Sequence, residues 1–157
     1  AEPAGSVGVF GSVGSVGSVG GSVGSANICK FIGHSVLRNQ NDSETHLILM
    51  DLCTEGTLVD YLQQHECKLD EEQILNVMIQ ICKGVKHMHE HRPPIAHRDL
   101  KVENILHENS VFKLADFGSC STDTLDYERS NKKEIADKME QFERYTTLMY
   151  RPPEMID

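Results

Sequence analysis

The chain has 157 residues, and its 24 acidic against 15 basic side chains give a formal net charge of −9. This balance, without a local cluster of Lys and Arg, argues against a nucleic-acid-binding surface. The sequence contains no apolar run of roughly 18 residues and no basic start followed by an apolar core, so it predicts neither a membrane span nor a secretory signal.

Cysteine usage indicates the compartment. The five cysteines are dispersed, odd in number and never arranged as C-x-x-C, namely Cys29, Cys53, Cys67, Cys82 and Cys120. Free thiols in a reducing compartment fit this pattern best, so we expect a cytoplasmic protein.

The first 25 residues differ in composition from the rest. Gly5 to Ser25 repeat Gly-Ser-Val almost without interruption, and this low-complexity tract predicts disorder over residues 1–25. Its glycines stand three apart or adjacent, so the G-x-G-x-x-G pattern of a phosphate-cradling loop is absent. We expect a folded domain over residues 26–157.

Two strands are predicted at the start of this domain. Ile28 to Val36 has the composition of a strand and is followed by a polar turn through Asn39 to Glu44. His46 to Leu52 is an apolar run bounded by polar residues, which is typical of a buried strand.

Two helices are predicted next. Thr57 is suited to cap a helix that begins at Leu58. The second helix runs from Asp70 to Glu90, where apolar residues recur at steps of three and four, and Arg92-Pro93-Pro94 stops it because proline cannot continue the hydrogen-bond ladder. The stripe expected to be buried comprises Ile74, Leu75, Met78, Ile81, Cys82, Val85 and Met88.

Two short sequence motifs follow, and the spacing between their polar residues is informative. They are His97-Arg98-Asp99-Leu100-Lys101-Val102-Glu103-Asn104 and Asp116-Phe117-Gly118. Lys101 lies two residues after Asp99, Asn104 five and Asp116 seventeen. At these offsets carboxylates, an amide and a lysine can converge on one transferred phosphoryl group.

The segments around the second string predict its structural context. Ile105-Leu106 and Val111 to Leu114 read as two short strands, so Asp116 lies just after the second one. A polar stretch from Ser119 to Lys133 follows. A helical pattern then appears in Ile135, Met139 and Phe142.

Together the two strings resemble the catalytic loop and the magnesium-binding loop of a eukaryotic protein kinase. Further segments are similar to the Numb-associated kinase family, with its adaptor-associated and cyclin-G-associated kinases. These segments are Leu47 to Cys53, Pro94 to His97, Lys101 to Leu106 and Tyr145 to Arg151. The resemblance implies an α+β, protein-kinase-like fold with a mostly helical C-lobe, the hinge and a remnant of the N-lobe sheet, truncated at both ends.

The resemblance also implies catalytic roles. Asp99 would accept or orient the proton of the substrate hydroxyl, and Lys101, diagnostic of Ser/Thr kinases, would neutralise the γ-phosphate of ATP. Asn104 and Asp116 would supply hard oxygen ligands for Mg²⁺. Thr147 would bridge Asp99 and Lys101 and shape the loop that accepts the substrate.

Adenine binding is implied in the same way. Met50 would be the gatekeeper, the backbone groups of Asp51 and Cys53 would hydrogen-bond the adenine edge, and Leu106 would form the apolar floor. The alternative for the apolar residues Met50, Leu52 and Leu106 is that they only pack in the hydrophobic core. The two interpretations overlap because an adenine pocket is itself apolar.

The sequence departs from the family pattern at both ends. The glycine-rich loop, the strand lysine and its glutamate partner have no counterpart. Only 15 residues separate Lys30 from His46, so Lys30 is expected to be a surface residue on a strand. The Ala-Pro-Glu motif reads Pro152-Pro153-Glu154. Candidate phosphorylation sites with which Arg98 would pair are Ser130, Thr146 and Thr147.

The leading hypothesis is a protein serine/threonine kinase that uses ATP and Mg²⁺ and acts on hydroxyl groups of a protein substrate. Family resemblance implies vesicle-traffic or clathrin-adaptor proteins as substrates. The alternatives are an inactive kinase-like scaffold and a truncated gene product that lacks the phosphate-binding N-lobe. For the chain as written, the absent segments predict weak folding and little activity.

Overall fold

A computed structural model describes residues 25–38, 43–124 and 128–153. These residues form two compact units, one over Lys30–Asp51 and one that combines residues 25–29 with the chain from Leu52 onward. The elements are β1 (Phe31–Arg38), β2 (Glu44–Met50), α1 (Leu58–Gln64), α2 (Glu71–His89), β3 (Ile105–Glu108), β4 (Val111–Leu114) and α3 (Lys132–Tyr145). The repeat tract up to residue 24, the centre of the first turn and Glu154 lie outside the described residues.

The first unit is an antiparallel hairpin of β1 and β2, with Arg38 opposite Glu44 and Phe31 opposite Met50. The prediction of two strands is confirmed, but the prediction that the second one is buried is wrong. Every residue of β2 is exposed, and Ile48 retains 63% of its surface. Within the described residues this sheet has only two strands, which is too few to enclose an apolar layer.

The first strand also begins later than predicted. Ile28 belongs to the second unit, where it forms a parallel bridge with Leu114 of β4. The neighbouring Asn27 is buried, and its side-chain amide donates to the carbonyl of Phe112 at 2.9 Å and to Gln80 Oε1 at 3.0 Å. These bonds hold residues 27–29 along β4 instead of in the hairpin of the first unit.

Capping residues set the starts of the next two helices; the cap at Thr57 was predicted, whereas Asp70 was expected inside the second helix and is its cap. Thr57 caps α1 and forms a capping box with Asp60, and Asp70 forms the same arrangement with Gln73 at the start of α2. In each box the cap accepts from a backbone N–H that has no partner inside the helix. Helix α2 ends at His89, just before the proline pair.

Helix α2 packs against the rest of its unit through a few residues along its length. Val77, Gly84 and Met88 are buried, and a Cβ on Gly84 would lie 2.7 Å from the Asn27 carbonyl oxygen. The predicted stripe is confirmed at Ile81, Val85 and Met88, but it is wrong at Cys82, which is exposed, and at its first three members. Ile74, Leu75 and Met78 each keep about half of their surface exposed, at 49%, 52% and 51%.

The core of the second unit joins the two helices to the β3–β4 hairpin. Its buried members are Leu58, Val77, Met88, Ile105, Phe112 and Leu114. The hairpin is antiparallel and pairs Ile105 with Leu114, so the predicted strand, turn and strand before Asp116 are confirmed. No helix among the described residues is long and apolar enough to cross a bilayer.

Candidate active site

The carboxylate of Asp99 lies at the centre of a buried hydrogen-bond cluster. Its Oδ1 accepts from the backbone N–H of Thr147 at 3.0 Å and from the hydroxyl of Thr147 at 2.6 Å. Its Oδ2 accepts from Asn104 Nδ2 at 3.1 Å and lies 2.9 Å from Lys101 Nζ. A carboxylate offers about four acceptor positions, so these donors occupy the full capacity of Asp99.

These contacts determine the charge states of the cluster. Burial by itself raises the pKa of Asp99, but hydrogen bonds from Thr147 and Lys101 outweigh burial and hold that pKa below its usual value. The same hydrogen bond to Asp99 raises the pKa of Lys101. Asp99 is thus an anion and Lys101 a cation at neutral pH.

Thr147 joins the loop after α3 to the loop after α2. Besides donating to Asp99, its hydroxyl oxygen accepts from Lys101 Nζ at 3.0 Å. The structure therefore brings together Asp99, Lys101, Asn104 and Thr147, which are the residues that the resemblance assigned to catalysis.

His97 ties the Asp99 loop to the segment after β4. It is buried, and its Nε2 lies 3.0 Å from the carbonyl oxygen of Ala115. Its Nδ1 accepts a long hydrogen bond of 3.4 Å from the backbone N–H of Asp99. Burial lowers the pKa of His97, which favours the neutral ring that both contacts require, with the proton on Nε2. Phe117 packs beside this ring at 5.6 Å between centroids.

Asp116 and Asn104 present oxygen atoms of the kind that Mg²⁺ prefers. Asp116 is exposed, has a left-handed backbone with φ of 58°, and accepts from the N–H of Gly118 at 3.3 Å. Both N–H groups of the Asn104 amide are used on Asp99, whose backbone carbonyl lies at 2.9 Å, which leaves the Asn104 side-chain oxygen for another partner. This donor set fits Mg²⁺, which takes few protein oxygens and completes its shell with phosphate and water. Among the described residues no three His, Cys, Asp or Glu side chains converge as a metal site.

The residues assigned to adenine binding lie in both units. Met50 ends β2 with 43% of its surface exposed, and the half-buried Asp51 donates its N–H to the Lys30 carbonyl at 3.0 Å. In the second unit Cys53 is half-buried, and Leu106 on β3 is half-buried and bridges to Thr57. Their roles remain predictions. Lys30 is exposed, as expected for a surface residue.

The sequence did not reveal how Arg98 is held. Its Nε donates to the carbonyl of Ser119, and its guanidinium lies over the rings of Phe142 and Tyr145 in α3. Phe142 and Tyr145 are three residues apart, which is the one signal in the sequence that they share a helical face. The expected pairing of Arg98 with a phosphate stays a prediction.

Glu108 was also missed. This residue ends β3, and its carboxylate accepts from the N–H and hydroxyl of Thr54 and from the N–H of Glu55. Hydrogen bonds from the Thr54 backbone lower the pKa of Glu108. Glu108 thereby fixes the segment that follows Cys53 against the hairpin that leads to Asp116.

Comparison with known families agrees with this geometry. The family model described as the protein kinase domain matches residues 18–157, which is most of the chain. The chain belongs to the protein kinase family. Its α+β fold is accordingly that of a protein kinase domain, and it is an enzyme domain by descent.

Individual relatives of this kinase domain are serine/threonine-type. A Dictyostelium discoideum protein described as a probable serine/threonine-protein kinase is 39% identical over 136 residues, 83% of the chain and 16% of the relative. A second such protein from the same organism is 38% identical over 136 residues, 83% of the chain and 12% of the relative. The Actin-regulating kinase 1 of Saccharomyces cerevisiae is 38% identical over 119 residues, 74% of the chain and 18% of the relative. The chain thus spans less than a fifth of the length of these curated relatives.

Proposed function

We propose that this kinase domain transfers the γ-phosphate of ATP to serine or threonine hydroxyls of a protein. The observation that carries the proposal is the buried cluster in which Asp99, Lys101 and Thr147 contact one another at 2.6 to 3.0 Å. Phosphoryl transfer needs little covalent chemistry from the protein, so groups that position the reactants and offset charge supply most of the catalysis.

Asp99 orients the attacking hydroxyl in this proposal. Because its pKa is held below the usual range, the carboxylate is ionised and ready to accept a hydrogen bond at neutral pH. Its acceptor positions are already filled, so the substrate hydroxyl must displace one donor. Lys101 is the donor to leave, since its ammonium can move to the γ-phosphate while Thr147 and Asn104 keep Asp99 in place.

Asn104 and Asp116 would hold Mg²⁺, which would offset the charge that develops on the phosphates. Asn104 is held for this role by its two hydrogen bonds to Asp99. Asp116 is held by its turn with Gly118. Met50, Asp51, Cys53 and Leu106 would receive the adenine ring.

The assignment of a subfamily and of a substrate class rests on the segments that resemble the Numb-associated kinases, such as Leu47 to Cys53 and Tyr145 to Arg151. We place the chain in the Numb-associated family, with vesicle-traffic or clathrin-adaptor proteins as substrates and with the cytoplasm as its location. The similarity to a kinase named for actin regulation makes an actin-linked substrate the second candidate. None of the cysteines among the described residues is in a disulfide, which supports a reducing compartment.

Phosphoamino-acid analysis tests the proposal. The purified native protein is incubated with ATP labelled in the γ-phosphate and with dephosphorylated casein as the acceptor, with and without EDTA. We expect label on serine or threonine of casein, and its loss when EDTA removes the divalent cation. Label on tyrosine alone, or no label from the native protein, would overturn the proposal.

A further inference from the structure

The side chain of Arg98 is enclosed by the last turn of α3. Its guanidinium carbon lies 5.9 Å from the ring centroid of Phe142 and 5.7 Å from that of Tyr145. Both distances fall within the roughly 6 Å at which a cation is attracted to an aromatic face. Neither ring belongs to the catalytic cluster.

Hydrogen bonds alone do not account for the placement of Arg98. Its Nε donates to the carbonyl of Ser119, but its Nη1 is buried and has no acceptor within the described part of the chain. A buried cationic donor without an acceptor is unfavourable. The two rings help to offset this cost, because their faces attract the cation, although Tyr145 itself keeps 41% of its surface exposed.

The same end of α3 is tied to Asp99. The hydroxyl of Thr146 donates to the carbonyl of Phe142 at 2.6 Å, and Arg151 donates to that hydroxyl at 2.7 Å, which closes the helix end. The next residue, Thr147, donates to Asp99. The end of α3 therefore holds two consecutive residues of the catalytic loop.

The backbone of Arg98 also needs support. Its φ of 69° lies in the left-handed region, which is unfavourable for a residue with a long side chain. Such a conformation persists when the surroundings fix it. Contacts that hold the Arg98 side chain thus also stabilise the backbone from which Asp99 projects.

We propose that Phe142 and Tyr145 form an aromatic clamp on Arg98 that positions the catalytic loop. The inference rests on the proposed kinase function. Phe142 and Tyr145 are positioning residues, which act through Arg98 and Thr147 on the orientation of Asp99. Loss of the clamp therefore lowers kcat, because it disturbs the orientation of Asp99, and leaves the KM for ATP unchanged.

The experiment compares variants of the native protein. Phe142→Leu and Tyr145→Leu remove the aromatic faces and keep apolar bulk, whereas Tyr145→Phe keeps the ring. Glu140→Gln is the matched control, because Glu140 is exposed on α3 and its side chain pairs with Arg144 in the next turn. Each protein is assayed for kcat and for the KM of ATP with dephosphorylated casein.

We expect kcat to fall roughly 10- to 100-fold in both leucine variants, with the KM for ATP unchanged, because misplaced groups slow the reaction at this scale. Tyr145→Phe and Glu140→Gln should retain native kcat. In an Arg98→Met background, Phe142→Leu should cause no further loss, since the ring then has no cation to hold.

A second measurement keeps this inference separate from the proposed function. In nitrogen-edited NMR spectra of the native protein, the ring currents of Phe142 and Tyr145 should shift the Nε–H signal of Arg98. In Phe142→Leu this signal should move toward the position of an arginine without aromatic neighbours. A signal that does not move would overturn the clamp, whatever the activity.

Native kcat in the leucine variants, or losses that persist unchanged in the Arg98→Met background, would overturn its positioning role. A shifted signal in a protein that transfers no phosphate would instead overturn the kinase proposal and, with it, any catalytic role of the clamp.

Discussion

At the scale of single residues, four donors decide the properties of Asp99. Burial would make this carboxylate a weaker acid, yet the hydrogen bonds from Thr147 and Lys101 reverse the effect and lower its pKa. Thr147 supplies two of the four donors, from its backbone and its hydroxyl. The lowered pKa of Asp99 therefore depends in part on a residue 48 positions away in the chain.

This dependence predicts a pH effect for Thr147→Val. The variant loses the hydroxyl that donates to Asp99 but keeps the backbone N–H, so the pKa of Asp99 rises. Because the active form of Asp99 is ionised, the acid limb of the profile of kcat/KM against pH should move to higher pH. Thr122→Val, at an exposed threonine, is the control and should leave the limb in place. A limb that stays at the native pH in Thr147→Val would show that the hydroxyl does not set this pKa.

Contacts between site residues were predictable where a string of fixed offsets joined them. The offsets of Asp99, Lys101 and Asn104 sufficed to expect one cluster, because all three lie on a single short loop. The aromatic contacts of Arg98 were not predictable in this way. They depend on where α3 packs, and local periodicity shows only that Phe142 and Tyr145 share a face of that helix.

At the scale of elements, the sequence predicted where helices and strands lie better than it predicted which of their residues are buried. Thr57 and Asp70 mark the starts of α1 and α2, because each satisfies backbone N–H groups of its own helix. Burial depends instead on partners elsewhere in the chain. For that reason the apolar residues of β2 and three residues of α2 were expected in the core and are exposed in the structure, namely Ile74, Leu75 and Met78.

The close approach of α2 to residues 27–29 predicts a stability effect for Gly84→Ala. In a free helix alanine is favoured over glycine by about 1 kcal/mol. Here the added Cβ would meet the Asn27 carbonyl at 2.7 Å and Leu114 at 2.9 Å, and overpacking of this kind costs about 1 to 3 kcal/mol. Since the backbone carbonyl cannot rotate away, we expect the cost of overpacking to exceed the gain in helix propensity, with a net loss of up to about 2 kcal/mol.

Urea denaturation of the native protein and the variant measures this difference in the free energy of unfolding. Lys83→Ala is the control, because Lys83 is the exposed neighbour on the same helix and should change stability by less than about 0.5 kcal/mol. A Gly84→Ala variant that is more stable than the native protein would mean that α2 does not pack this closely.

At the scale of the whole molecule, the chain is a protein kinase domain whose described residues form two units. The second unit contains the catalytic loop, the segment with Asp116 and Thr147, and their mutual contacts are internal to it. The sequence predicted this content because the residues that the family resemblance assigns to phosphoryl transfer follow one another in short strings. The residues assigned to adenine binding are divided between the units, so local patterns alone do not establish how they meet.

The proposed function makes Asp99 the residue that orients the attacking hydroxyl. The most direct test is the kcat of the native protein and of Asp99→Asn, a change that removes the charge and keeps the shape, with Asp137→Asn on the exposed surface of α3 as the control. We expect Asp99→Asn to lose roughly 100-fold or more in kcat and Asp137→Asn to match the native protein. Equal rates for the native protein and Asp99→Asn would contradict the proposed role of Asp99 in catalysis.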